Sequence, residues 1–274
     1  LLDSDFYDYI VIDEAHHSQA DSYRKLFDHF QPQLLVGLTA TPERMDGKDL
    51  RPDFGNRISA EIRLPQALQA GLLTPFQYLC ISDDTDLSDD SLWSGQKYNI
   101  ERLADKLCVK TRTQLIVDAL HKYLADEYTC RALCFCVNKR HADFMAEQLR
   151  LYGFNAQSLT SDTPADKRKQ LAKNLREGTL HYLCVVDIFN EGVDIPEVDT
   201  VLFLRPTESL TIFLQQLGRG LRLSAGKTEL TVLDFVAQAN RKYDFASRFR
   251  ALTLQPEKNI QKQIKEGFTL LPLG

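Results

Sequence analysis

The chain has 274 residues, enough to bury one large core or two smaller ones. Hydrophobic residues make up 43% and charged residues 26%, the balance of an ordinary globular protein. No apolar run approaches the roughly 20 residues of a membrane helix, so no membrane partner is expected. Net charge is −5, which argues against a generally basic surface. The charge is uneven. Residues 1–112 hold 12 Lys+Arg against 19 Asp+Glu, and residues 113–274 hold 21 against 19, so any nucleic-acid contact must be local. The six cysteines, Cys80, Cys108, Cys130, Cys134, Cys136 and Cys184, form no Cys-x-x-Cys pair. Their apolar settings predict reduced core thiols and therefore a cytoplasmic protein. The first residues do not resemble a signal peptide, and without an initiator Met a segment of a longer chain is expected.

In chain order, residues 5–12 read as a buried strand, a polar helix follows near 22–30, and the run Leu34-Leu35-Val36-Gly37-Leu38 reads as a second strand. Two strands joined by a helix predict an α/β sheet. Glu61-Ile62-Arg63-Leu64 alternates like a strand, residues 65–70 suggest a short helix closed by Gly71, and residues 76–81 suggest another strand. Acidic, Ser-rich residues 83–90 predict an exposed connection. Helical apolar spacing marks residues 100–107 and 113–124. From Arg131 the pattern becomes regular: strands at 132–137, 155–159, 180–186, 200–204 and 229–235, helices at 139–152, 164–176 and 209–217. That alternation predicts one complete α/β lobe.

Several clusters carry chemistry. Asp13-Glu14-Ala15-His16 ends the first strand. Paired carboxylates at a strand tip suit divided roles, one holding Mg²⁺ and the next orienting a water. Thr39-Ala40-Thr41-Pro42 follows the second strand, and the hydroxyls of Thr39 and Thr41 can exchange hydrogen bonds with that acidic loop. Asn138, Lys139 and Arg140 open a helix after a buried strand, where a cap and two cations can hold a phosphate. The run 186–196 contains Asp187, Gly192 and Asp194, and Gly192 permits a tight turn. Gln215-Gln216-Leu217-Gly218-Arg219-Gly220-Leu221-Arg222 places Arg219 and Arg222 three apart, on one face if helical.

The order DEAH, TATP, EGVD and QQLGRGLR resembles superfamily 2 helicases and translocases over nearly the whole chain. The string from Gly37 to Gly47, and Glu191 where DEAD-box proteins commonly carry Arg, are similar to the restriction-endonuclease-like DEAH branch. The resemblance implies RecA-like parallel sheets flanked by helices, one partial lobe and one complete lobe, with ATP and Mg²⁺ as cofactors. It implies that Asp13 positions Mg²⁺, that Glu14 is the general base, and that His16 couples the acidic loop to Thr39 and Thr41. It further implies that Gly192 and Asp194 belong to the nucleotide site, with Asp194 near the ribose or the finger arginines, and that Asp187 organises the lobe interface. Gln215 would position water or phosphate, and Arg219 and Arg222 would bind the γ-phosphate, with Arg222 as arginine finger. Asn138, Lys139 and Arg140 would contact nucleic acid, with DNA favoured over RNA.

No G-x-x-x-x-G-K-[ST] occurs. The expectation is therefore a truncated first lobe over 1–82, a connector over 83–112, a second lobe over 113–250, and a tail over 251–274 leading toward a further domain. The parent would be an ATP-dependent DNA helicase or translocase, and this segment alone would be inactive. The rival readings are the motor subunit of a restriction or defence nuclease, with a nuclease module elsewhere in the chain, and a non-catalytic nucleic-acid-binding scaffold.

Overall fold

The computed structural model describes residues 2–15, 18, 21–39, 50–95, 97–186, 194–207, 209–239 and 252. His16, Thr41, Asp187 and Gly192 lie outside the described residues, as does the tail apart from Leu252. The chain divides into two compact units, Leu1–Arg63 with Ser209–Gln215, and Leu64–Glu208 with Gln216–Gly274.

In the first unit, β1 (Tyr9–Ile12) and β2 (Leu34–Gly37) pair in parallel, Tyr9 opposite Leu34 and Ile12 opposite Gly37. Parallel strands need a crossover, and α1 (Asp21–His29) supplies it. The expected buried strand over 5–12 is shorter and wetter than the sequence suggested. Only Tyr9–Ile12 is strand, and Tyr9 is 68% and Val11 61% exposed. Successive side chains point to opposite faces, and among the described residues nothing covers the Tyr9 and Val11 face. The other face is held by a short turn at Arg51–Phe54, where Arg24 grips Asp53 through two 2.7 Å bonds. The Phe54 ring lies on Gly37, where a Cβ would come within 2.7 Å of it, so glycine is what lets the ring seat there.

The second unit begins with α2 (Leu64–Gln69), followed by Gly71 at φ 66°. The strand expected at Glu61–Leu64 does not form: Leu64 starts the helix, and local alternation without a pairing partner does not make a strand. In order come β3 (Phe76–Leu87), the hairpin β4 (Trp93–Ser94) and β5 (Lys97–Tyr98), α3 (Ile100–Leu107) and α4 (Lys110–Tyr123). Next are β6 (Ala132–Phe135), α5 (Lys139–Leu151), β7 (Ala156–Leu159), α6 (Ala165–Glu177), β8 (Tyr182–Val185) and β9 (Thr200–Phe203). Then come α7 (Leu210–Gly220) and β10 (Leu230–Ala239). Six strands form one parallel sheet in the order β3-β10-β9-β6-β8-β7. All four residues of each of β6, β8 and β9 are buried, the signature of central parallel strands covered on both faces.

The predicted exposed connection at 83–90 is overturned over its first half, because β3 runs through Leu87. Ile81, Asp83 and Leu87 are buried and fall on one face by the two-residue period. Asp83, 3% exposed, belongs there because its Oδ2 accepts from Arg112 Nε of α4 at 2.6 Å. Its Oδ1 accepts from the Thr85 backbone N–H and hydroxyl at 2.9 and 2.6 Å. Burial pushes the carboxyl up, but Arg112 and the Thr85 bonds outweigh it and hold it below the usual carboxylate range.

The cysteine reading holds for four of six. Cys130, Cys134, Cys136 and Cys184 are buried, whereas Cys80 is exposed and Cys108 half-buried; none is bridged. Cys80 alternates outward along β3, so its apolar neighbours in sequence are not its neighbours in space. Burial pushes the Cys130 thiol up to about 12, so it stays protonated. His141, on α5, is fully buried, and its Nδ1 accepts from the Val137 N–H at 3.2 Å. Burial first, then Arg112, Arg205 and Arg140, push its pKa down to about 3.

Two outcomes follow. Arg112→Ala leaves Asp83 charged and buried, and urea unfolding should report a loss of about 3–5 kcal/mol. His141 carries a folded pKa below its unfolded value of 6.5, so its contribution is complete above pH 6.5 and lost as pH falls toward 3. Unfolding free energy should drop by about 1.4 kcal/mol per pH unit across that window, and a His141→Gln variant should lack that slope in pH-dependent urea melts.

Candidate functional site

In the first unit, the acidic pair sits at the C-terminal tip of β1, as the sequence implied. Asp13 and Glu14 are exposed, and the Glu14 N–H donates to Asp13 Oδ1 at 2.9 Å. Glu14 adopts φ 49°, a left-handed conformation that a residue with a side chain adopts at some expense. Two backbone bonds fasten this loop to the end of β2: Leu38 N–H to Ile12 O and Ala15 N–H to Leu38 O, both 2.8 Å. The acidic loop and the segment leading to Thr39 are thus tied through the main chain. Within the same unit, Gln215 Nε2 donates to Glu14 Oε1 at 3.1 Å, which orients the carboxylate. A single exposed carboxylate with hydration waters is a donor set that Mg²⁺ accepts, and Asp13 offers it. Among the described residues no group of three or more His, Cys, Asp or Glu forms a metal cage.

In the second unit, Arg222 pairs with Asp194, both about half-exposed. The expectation that Arg219 and Arg222 share a helical face is corrected. α7 ends at Gly220, so Arg219 lies in its last turn and Arg222 beyond it. Close approach explains the ending: a Cβ at Gly220 would meet Leu230 at 2.7 Å and Val201 at 3.0 Å, so the chain descends onto the sheet at that point. The Leu221 carbonyl accepts from the Thr74 N–H at 2.8 Å, and the Arg222 carbonyl accepts from the Thr74 hydroxyl at 2.9 Å.

Asn138 caps α5, its side chain accepting from the His141 N–H at 3.0 Å. The neighbouring cations meet acids. Lys139 pairs with Asp162 at 2.7 Å, Arg140 with Asp105 at 2.6 Å, and the Asn138 amide donates to Glu101 at 3.1 Å. An incoming phosphate would have to compete with those carboxylates. Sequence reading missed Thr74, Asp83, Arg112, His141 and Lys227. None belongs to a spaced motif, and Thr74, Asp83, Arg112 and Lys227 acquire their roles from partners far along the chain.

The six-stranded parallel sheet of the second unit, flanked by helices, resembles RecA-like domains in fold. Residues 113–224 match the helicase conserved C-terminal domain, and residues 1–44 match the type III restriction enzyme res subunit. The chain is 29% identical to IRC3 of Saccharomyces cerevisiae, assigned as an ATP-dependent helicase, over 84% of this chain and 34% of that one. It is 25% identical to the EcoKI type I restriction endonuclease subunit of Escherichia coli K12, over 95% of this chain and 26% of that one. A solved fragment from Vibrio vulnificus, assigned to the HsdR subunit of a type I restriction enzyme, superposes with a TM-score of 0.66 at 24% identity, over 90% of this chain and 46% of that one. These matches support a superfamily 2 helicase-type chain of the restriction-enzyme-like branch. It spans about a quarter to a half of the length of these relatives. Among the described residues no helix is long and apolar enough to cross a membrane.

Because the Arg222–Asp194 pair is wet, Asp194→Asn should change unfolding free energy in urea by less than about 1 kcal/mol.

Proposed function

We propose that this chain is part of an ATP- and Mg²⁺-dependent motor that moves on DNA. The observation that carries the reading is the acidic pair at the tip of β1, fastened by backbone bonds to the segment leading into Thr39. Glu14 accepts the proton of the attacking water, with Gln215 holding its carboxylate in one orientation. Asp13 would hold a Mg²⁺ ion, which would supply positive charge to offset that of the phosphates. Arg222 and Arg219 stabilise the charge that builds on the transferred phosphoryl group, Arg222 leaving Asp194 for phosphate. His16, Thr39, Thr41 and Asp187 relay the nucleotide state, and Gly192 and Asp194 line the nucleotide. Asn138, Lys139 and Arg140 contact the DNA backbone when phosphate displaces their acidic partners.

The restriction-type match over residues 1–44 and the EcoKI relative favour a translocase serving a nuclease over a duplex-unwinding enzyme. Six unbridged cysteines, four of them buried, support a reducing compartment, the cytoplasm.

The test is DNA-stimulated ATP hydrolysis by the full-length protein, wild type beside Glu14→Gln and Arg222→Ala. Each substitution should lower kcat by about 10³-fold or more while DNA binding persists. A wild type that binds DNA but hydrolyses nothing would establish the scaffold reading instead.

A further inference from the structure

Lys227 lies in the turn between α7 and β10, just after Gly226, whose φ of 80° reverses the chain. Its Nζ donates to three main-chain carbonyls: Pro196 at 3.1 Å, Arg222 at 3.0 Å, and Gly220. An ammonium has three N–H donors, so each is spent on a carbonyl. Gly220 supplies one of the last carbonyls of α7, which have no partner within the helix and sit at the negative end of its dipole. Together with Thr74, Lys227 leaves none of the carbonyls from Gly220 to Arg222 without a donor. Pro196 lies two residues beyond Asp194. One side chain thus fixes the main chain under Arg222 and the main chain beside its ion-pair partner.

We infer that Lys227 is the positioning residue for the Arg222–Asp194 pair, tying the end of α7 to the segment after Asp194 through three backbone carbonyls. This rests on the reading of Arg222 as a phosphate-binding arginine. The geometry suits the task, because Arg222 and Asp194 are themselves exposed and too solvated to hold each other still. The tie also has a charge condition. Burial pushes the Lys227 ammonium down to about 8, against the opposing pull of Asp199 and Glu197. Both acids lie on the segment from Asp194 to β9, where Glu197 also faces Arg176 of α6 at 3.7 Å and Asp199 accepts from the Arg131 N–H at 2.9 Å. A neutral amine has two donors, so one carbonyl is abandoned as pH rises past that value.

The experiment compares wild type, Lys227→Met, Lys227→Arg and Thr74→Val in the full-length protein. It measures ATP hydrolysis across pH 6.5–9.5 and amide hydrogen exchange of the segments around 194–200 and 219–226. Lys227→Met should lower kcat at least 10-fold with KM for ATP within 3-fold of wild type. It should also remove a fall in rate near pH 8 and speed exchange in both segments. Lys227→Arg should recover part of the rate and lose the pH 8 limb, and Thr74→Val should lower kcat in the same direction by a smaller factor. Unchanged exchange in both segments, or a wild-type kcat in Lys227→Met, would overturn the assignment. If Lys227→Met fails to fold, Thr74→Val carries the decision, and a wild-type kcat there overturns it too. A wild type that hydrolyses no ATP, with exchange still accelerated in Lys227→Met, keeps the tie and removes the motor reading.

Discussion

The carboxylate of Asp83 and the guanidinium of Arg112 lie 2.6 Å apart, both almost wholly withdrawn from water. Much of the second unit is organised around that pair. It fastens β3, at the edge of the sheet, to α4, and α4 in turn packs against α5. An unpaired charge at such depth is far less stable than a paired one, so β3 and α4 cannot separate independently. Burial, with Arg112 and the neighbouring arginines adding to it, keeps His141 neutral, and a neutral imidazole can accept the Val137 N–H. Through His141 the end of β6 and the first turn of α5 hold one geometry, with Asn138 capping the helix at the same spot. The segment proposed to meet DNA is therefore fixed from beneath by a buried ion pair and a buried neutral histidine.

A parallel sheet gives this arrangement its direction. Within each sheet the C-terminal strand tips lie along one edge, and the loops leaving them are the places where side chains can converge on a ligand. Asp13 and Glu14 leave β1 of the first unit in this way, and Asn138 follows β6 of the second. Rigidity comes from the main chain rather than from the functional side chains. Glu14 is braced by the ladder from Ile12 through Leu38 to Ala15, and Arg222 by Thr74 and Lys227. The charged groups stay solvated and able to change partners. This division suits the proposed roles of Arg222 and Arg140, which would exchange Asp194 and Asp105 for phosphate.

Both short polar motifs and long apolar ones were legible without coordinates. The central strands β6, β8 and β9 came close to their expected bounds, because a strand buried on both faces is a continuous apolar run flanked by turn residues. α3 was found at its expected residues because its apolar stripe and the Asn99 cap act locally, with Asn99 accepting from the Arg102 N–H at 3.1 Å. Asp13, Glu14, Asp194, Arg219 and Arg222 were legible as motif members. The false strand at Glu61–Leu64, the hidden half of β3 and the shared face assumed for Arg219 and Arg222 were not legible. Each depended on which distant element lay alongside.

Local spacing was enough to specify the α/β class and most of the elements from Ile100 onward, because periodicity, caps and turns act over a few neighbours, while the charged motif residues were legible through their resemblance to a family pattern. Tertiary structure decided that an acidic stretch enters the sheet, that α7 stops at Gly220, and that Lys227 reaches three carbonyls. Those outcomes rest on partners 29 residues apart for Asp83 and Arg112, 31 for Lys227 and Pro196, and 148 for Thr74 and Arg222. A buried charge or a spent ammonium is stable only once its partner arrives, and no local pattern records where that partner will be.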